Sequence, residues 1–232
     1  MILSFISDKD LIEITKRVID VIITARDRPE SEIFKNAVDP FSGLFDAAVQ
    51  NIDIKDWLNQ EKSRQAQKTF QNAIGAFHQD ILGSMVGWEN LDKGHVIDII
   101  NKDKKIIAEL KNKYNTTKGD HKVRVYDDLK SVLSKPEFAG YTSYLVEILP
   151  LKKGKYDKLF VPSDNTKHKR RSKNNKIRVI SGQLFYDLAS GEKDTLRKLY
   201  MALPQVIAQI TGVTPKSVTG DISLEYLFDK AY

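Results

Sequence analysis

Two short isoleucine-rich runs constrain this chain more than anything else in it. His95–Asn101 (HVIDIIN) and Lys105–Lys111 (KIIAELK) are separated only by Lys102-Asp103-Lys104. Short β-branched runs around a polar turn predict two strands of a hairpin. With Lys102-Asp103 as a two-residue tip, Asn101 pairs with Lys104 and Asp98 with Ile107. Side chains alternate along a strand, so Ile97, Ile99, Ile106, Ala108 and Leu110 share one wholly apolar face. The opposite face carries Asp98, Glu109 and Lys111. In this register the two acids are diagonal neighbours, about 7–8 Å apart at Cα.

Two carboxylates at that spacing suit a hard cation such as Mg²⁺, which keeps positions for water and a phosphate oxygen. A lysine on the same face can orient the attacking water or stabilise the charge that builds on phosphorus. The same pattern also fits a surface salt bridge from Glu109 to Lys111 or Lys104 on a solvated face. Acid-x-Lys triplets are common, and Asp53-Ile54-Lys55, Asp103-Lys104-Lys105 and Asp128-Leu129-Lys130 are others in this chain. What sets Glu109-Leu110-Lys111 apart is its place on the hairpin.

Around this core the pattern predicts one α/β domain, 1–232. Residues 1–85 read as a helical N-terminal part, with helices opening near Ser7, after Pro40 and near Ile54. Residues 86–150 read as the catalytic core: the hairpin, a helix near Val125–Leu133 and a strand Thr142–Leu149. Residues 151–232 read as a basic segment, a strand Ile177–Ile180 and helices Gly182–Ser190 and Lys193–Thr211. The aromatic stripe of the long N-terminal helix, from Trp57 to Phe77, is read as core.

The formal net charge is +6, and its distribution says more than its size. Leu151–Ile180 holds eleven Lys or Arg against Asp157 and Asp164, so this stretch carries +9 and the remainder −3. One concentrated basic tract on a slightly acidic body is the footprint of a nucleic-acid binder; a solvated loop is the other reading. There is no cysteine, which excludes disulfides, thiolate zinc sites and cysteine nucleophiles and suits a reducing cytoplasm. No signal peptide or membrane span is expected. Neither phosphate-binding glycine motif, GxxxxGK(S/T) or GxGxxG, is present, which argues against nucleotide hydrolysis. His78, His95, His121 and His168 lack metal-ligand spacing and are read as surface or structural residues. Glu89 and Asp80 are candidates for a third acid.

Asp98, ten intervening residues and Glu109-x-Lys111 on paired strands resemble the PD-(D/E)XK nuclease superfamily. Other segments are similar to type II restriction endonucleases that cut GG-N-CC or GG-(A/T)-CC palindromes. These are Gly87-Trp88-Glu89, Glu109–Thr116, Pro162–Asn165 with the basic run after it, and Ile180–Tyr186. The resemblance covers roughly Asn72–Gly191. Ile97 stands where the superfamily pattern has proline, a position that supplies no ligand. The resemblance implies a restriction-endonuclease-like core, with a mixed central sheet flanked by helices. It also implies Asp98 and Glu109 as Mg²⁺ ligands, Lys111 as the catalytic lysine and double-stranded DNA as substrate. A palindrome read by one small domain implies a homodimer, with a cognate DNA methyltransferase as functional partner. Candidate DNA contacts are Asn112, Lys113, Asn115, Asn165, Lys167, Arg170, Arg171, Lys173 and Arg178. Arg170, Arg171 and Arg178 are the expected readers of guanine. A non-catalytic DNA-binding protein and a nuclease with a repair role are the competing readings.

Overall fold

The computed structural model describes residues 1–91, 94, 96–116, 119–150, 153–164, 169–213 and 223–232. The chain divides into two compact units: Met1–Thr15 with Phe77–Tyr232, and Lys16–Ala76.

The second unit is helical. Helix α1 (Asp8–Arg26) enters it, α2 (Pro40–Gln50) lies inside it, and α3 (Ile54–Gly83) leaves it. Asp39 caps α2 by accepting from the Phe41 N–H, with Pro40 at the first helical position, as its fixed φ and missing donor favour. Within the unit, Gly43 packs against the indole of Trp57, whose Nε1 donates to Asp46 Oδ2 at 3.1 Å.

The first unit is built on a six-stranded mixed sheet. Its strands are β1 (Glu89–Asn90), β2 (Ile99–Asn101), β3 (Ile106–Lys113), β4 (Thr142–Leu149), β5 (Asp157–Leu159) and β8 (Ile177–Ser181), in the order β1-β2-β3-β4-β8-β5. β6 (Ser163–Asp164) and β7 (Lys169–Arg170) form a separate two-stranded ribbon. β3, β4 and β8 are mutually parallel, and the other pairings are antiparallel. Parallel strands need crossover connections, which place helices on the sheet faces. Helix α4 (Gly119–Leu133) links β3 to β4. It packs Val125, Tyr126, Leu129 and Val132 onto Ile100, Ile107, Leu145 and Val179. Helix α5 (Gly182–Ser190) follows β8, and its Phe185 ring lies 5.9 Å from that of Tyr144. A Cβ on Gly182 would stand 2.6 Å from the Ile148 carbonyl oxygen, so only glycine permits this approach of α5 to β4. Helices α6 (Thr195–Thr211) and α7 (Leu224–Ala231) complete the unit. Among the described residues, no helix is long and apolar enough to cross a membrane.

The expected hairpin forms, with a different connection. Asn101 pairs with Ile106, Ile100 with Ile107 and Ile99 with Ala108. The turn is therefore Lys102–Lys105 rather than two residues. Asn101 Oδ1 accepts from the Lys104 N–H at 2.8 Å, and Lys105 adopts a left-handed φ of 52°. The partner strand is offset by two residues from the expected register, and an even offset leaves every β3 side chain on its predicted face. A second difference lies at the start of β2. Val96–Asp98 bend instead of extending, and Ile97 joins Ile100 and Ile107 in the core under α4 rather than the face of Ile99. Both faces of β3 are covered, since Ile106, Ile107 and Ala108 are all buried.

Candidate active site and DNA interface

Asp98 sits at the bend where the chain joins the sheet. Its backbone N–H donates to Ala108 O at 2.9 Å, and its carbonyl accepts from the Leu91 N–H at 2.8 Å. Oδ2 accepts from the Leu110 N–H at 2.6 Å. Glu109 projects from β3 toward it, and the two carboxyls are hydrogen-bonded to each other. Lys111, two residues on, donates from Nζ to Glu109 Oε1 at 2.6 Å. The three residues that the sequence places on one face are thus brought together. Their side chains are not on a solvated surface: those of Glu109 and Lys111 are only 16% and 23% exposed.

Burial, followed by the charge of Asp98, pushes the Glu109 carboxyl up to about 7, against the opposing pull of Lys111. Burial also raises Asp98, which the Leu110 N–H, Lys111 and the side chain of Gln79 partly offset. The charge of Asp98 adds to burial at Glu109, while the Leu110 N–H favours the Asp98 anion. Such a pair is costly without a cation. Two oxygen donors of this kind, with room for water and phosphate, fit a divalent ion of the hard class.

A pocket of about 320 Å³ opens onto the pair, lined by Val96, Asp98 and Glu109 from the hairpin and by His121, Arg124 and Asp128 from α4. Arg124 Nε stands 3.8 Å from Asp128 Oδ2. The three α4 residues are spaced three and four apart, one stripe of a helix. Extending the predicted helix back from Val125 reveals that stripe. Gln79, by contrast, carries no distinguishing signal in the sequence.

The acids weighed as a third ligand are occupied elsewhere. Glu89 binds Lys102 at 2.9 Å and Asp80 accepts from Asn90 at 2.8 Å. Of the histidines, His78 Nδ1 lies 2.8 Å from Tyr186 Oη, His121 lines the pocket, and His95 and His168 lie outside the described residues.

A larger groove of about 860 Å³ adjoins on the same side of the sheet. Lys122, Lys153, Lys155, Lys158, Arg170 and Lys173 line it, with Glu147 at its floor. Glu147 is the parallel-register partner of Lys111, so the groove begins one strand away from Lys111. Glu147 is buried and accepts from Tyr156 Oη and from Lys122 Nζ.

The candidate DNA contacts separate into groups. Arg170 and Lys173 are exposed. Arg171 is held by Asp127 through two parallel bonds of 2.9 and 2.7 Å and by Asp164 at 2.9 Å. Arg178 donates to Asp157 at 2.7 Å. Asn112 and Lys113 end β3, and Asn115 lies in the short 3₁₀ turn that follows. Asn165 and Lys167 lie outside the described residues.

Residues 3–212 match the family model described as Eco47II restriction endonuclease. The chain belongs to this family. It is 37% identical over 211 residues to the type II restriction enzyme Eco47II of Escherichia coli, an alignment covering 90% of this chain and 88% of that one. It is 31% identical over 214 residues to the type II restriction enzyme Sau96I of Staphylococcus aureus, covering 87% and 78%. The enzyme is a sequence-specific type II restriction endonuclease, a site-specific deoxyribonuclease. Membership sets aside the non-catalytic and repair readings. Enzymes of this type generally need a divalent metal ion and bind DNA, which agrees with the acid pair beside a cationic groove.

Proposed function

We propose that the enzyme cuts both strands of a short palindrome of the GG-N-CC kind, with Asp98, Glu109 and Lys111 as its catalytic residues and Mg²⁺ as its cofactor. The observation that carries this is the half-buried, mutually hydrogen-bonded pair Asp98–Glu109, with Lys111 against it and a cationic groove one strand away. Asp98 and Glu109 would hold the ion through carboxylate oxygens, and the ion would activate water and neutralise charge on the phosphate. Lys111, placed against Glu109 at 2.6 Å, is positioned to orient the attacking water and to face the charge developing on the phosphate oxygens.

DNA lies along the groove in this reading, with Arg170 and Lys173 on the duplex and Asn112, Lys113 and Asn115 on the backbone beside the cut. Arg171 and Arg178 position the segment through Asp127, Asp164 and Asp157. Asn165 and Lys167 remain proposed contacts from the sequence. The enzyme acts in the cytoplasm as a homodimer, and a methyltransferase modifying the same site protects the host.

Digestion of phage DNA with Mg²⁺ tests the reading. Discrete fragments whose ends map to one palindrome are expected from the wild type. Uncut DNA from Asp98→Ala, with retained binding in a gel shift, is the expected companion result. Fragments of equal yield from Asp98→Ala would overturn the site.

A further inference from the structure

Helix α2 has two faces of very different kinds. On the inner face Gly43 and Ala47 are buried, and a Cβ at Gly43 would stand 3.1 Å from the Trp57 ring. On the outer face Phe41, Leu44, Phe45 and Val49 are 72%, 61%, 71% and 86% exposed. Their spacing makes a single stripe. Together they present roughly 500 Å² of apolar surface, in the upper part of the range of about 300–600 Å² for the largest patch on a typical monomer, a patch that is often functional.

The stripe carries no charge. The acid of this helix, Asp46, is taken up by Trp57 Nε1 at 3.1 Å and Gln50 Nε2 at 2.7 Å. No Lys or Arg occurs between Lys35 and Lys55. A surface without cations does not bind the phosphate backbone, so DNA is not its occupant. Nor does it have the basic flank of a helix that lies on anionic membranes.

We propose that the stripe of α2 is a self-association face, packed in the working enzyme against the same stripe of a second copy. The proposal rests on the endonuclease reading in one respect. Each chain has one Asp98–Glu109–Lys111 centre, and cutting both strands of a palindrome takes two centres related by a two-fold axis. Across such an axis a stripe meets itself, and an uncharged one meets no like-charge repulsion. A standard interface buries about 800 Å² per partner. The stripe supplies the apolar middle of that area, and the exposed polar residues around it supply the rim.

Sedimentation of the full-length protein without DNA, at micromolar concentration, tests this. The wild type is expected at twice 26.4 kDa. The double variant Phe45→Glu/Val49→Glu is expected at the single-chain mass, its self-affinity weakened by about thirtyfold or more. On supercoiled cognate plasmid the variant should accumulate nicked circles where the wild type gives linear product. A monomeric wild type, or a variant that remains dimeric, overturns the proposal. Because the chain has no cysteine, Ala48→Cys decides the matter if the double variant fails to fold. A disulfide-linked dimer on mild oxidation supports the face, and its absence overturns it. A dimeric wild type that cuts no DNA would leave the face standing and overturn the catalytic assignment instead.

Discussion

Lys111 Nζ stands 2.6 Å from Glu109 Oε1, and Glu109 is hydrogen-bonded in turn to Asp98. The lysine therefore takes its position from the same acid that is proposed to bind the ion. Lys111→Ala is expected to keep DNA binding and to lose most of the cleavage rate, on the order of 10²-fold or more. Lys130→Ala, in the neighbouring acid-x-Lys triplet on α4, should leave the rate within a few-fold. Single-turnover cleavage of a cognate duplex measures both. If Lys130→Ala were the slower variant, the catalytic role of the hairpin would be refuted.

The raised Glu109 carboxyl has a consequence for stability. Its folded value is about 7 against 4.5 for the free group. Between those values the unfolded chain releases a proton that the folded one keeps. The contribution of this group is therefore fully present below about pH 4.5 and is lost as pH rises through 7, on the order of 3 kcal/mol. Glu109→Gln removes this penalty. In the absence of divalent ions it should melt higher than wild type at pH 8 and show no advantage at pH 4.5, while cutting no DNA. Melting curves at the two pH values check it, and a variant less stable than wild type at pH 8 would contradict the cause given for the shift.

How much of this was legible in the sequence depends on range. The isoleucine runs, Thr142–Leu149 and Gly182–Ser190 were readable because buried strands and capped helices leave local patterns. The Asp98–Glu109–Lys111 face was readable because alternation survives an even change of register. The register itself was not, since a side-chain cap from Asn101 and a left-handed Lys105 decide the turn. The edge strands Glu89–Asn90 and Asp157–Leu159 are too short to carry a period. The engagement of Arg171 by Asp127 was hidden for another reason. Those residues are 44 apart in sequence and meet only because α4 packs beside the β6–β7 ribbon.

That engagement separates two adjacent arginines that the sequence treats alike. Arg171 is bound bidentately by Asp127 and also by the buried Asp164. Truncating it leaves the buried Asp164 carboxylate without this partner. Arg171→Ala is expected to lower Tm by a few degrees and to weaken DNA binding only through that loss. Arg170→Ala should leave Tm unchanged and weaken binding directly. Thermal melts beside gel shifts distinguish them, and the assignment fails if Arg170→Ala is the destabilising change.

The groove makes a prediction about salt that does not depend on which base each residue reads. Seven of its lining residues are Lys or Arg, and a duplex lying along it releases one set of counterions for each phosphate neutralised. Log affinity should then fall against log salt with a slope of about −0.9 per contact. Lys173, exposed on the groove wall, is placed to contribute one such contact. Lys173→Ala should flatten the slope by about one and weaken cognate and scrambled duplexes alike. Arg170→Ala should behave differently if it reads guanine, costing about 1–3 kcal/mol on the cognate duplex and little on the scrambled one. Lys155 provides the control. It lines the groove, yet its Nζ is held at 2.9 Å by Asp187 and 3.3 Å by Asp194, so its loss should change the slope less than loss of Lys173. Equal slopes for wild type and all three variants would place the duplex somewhere other than this groove.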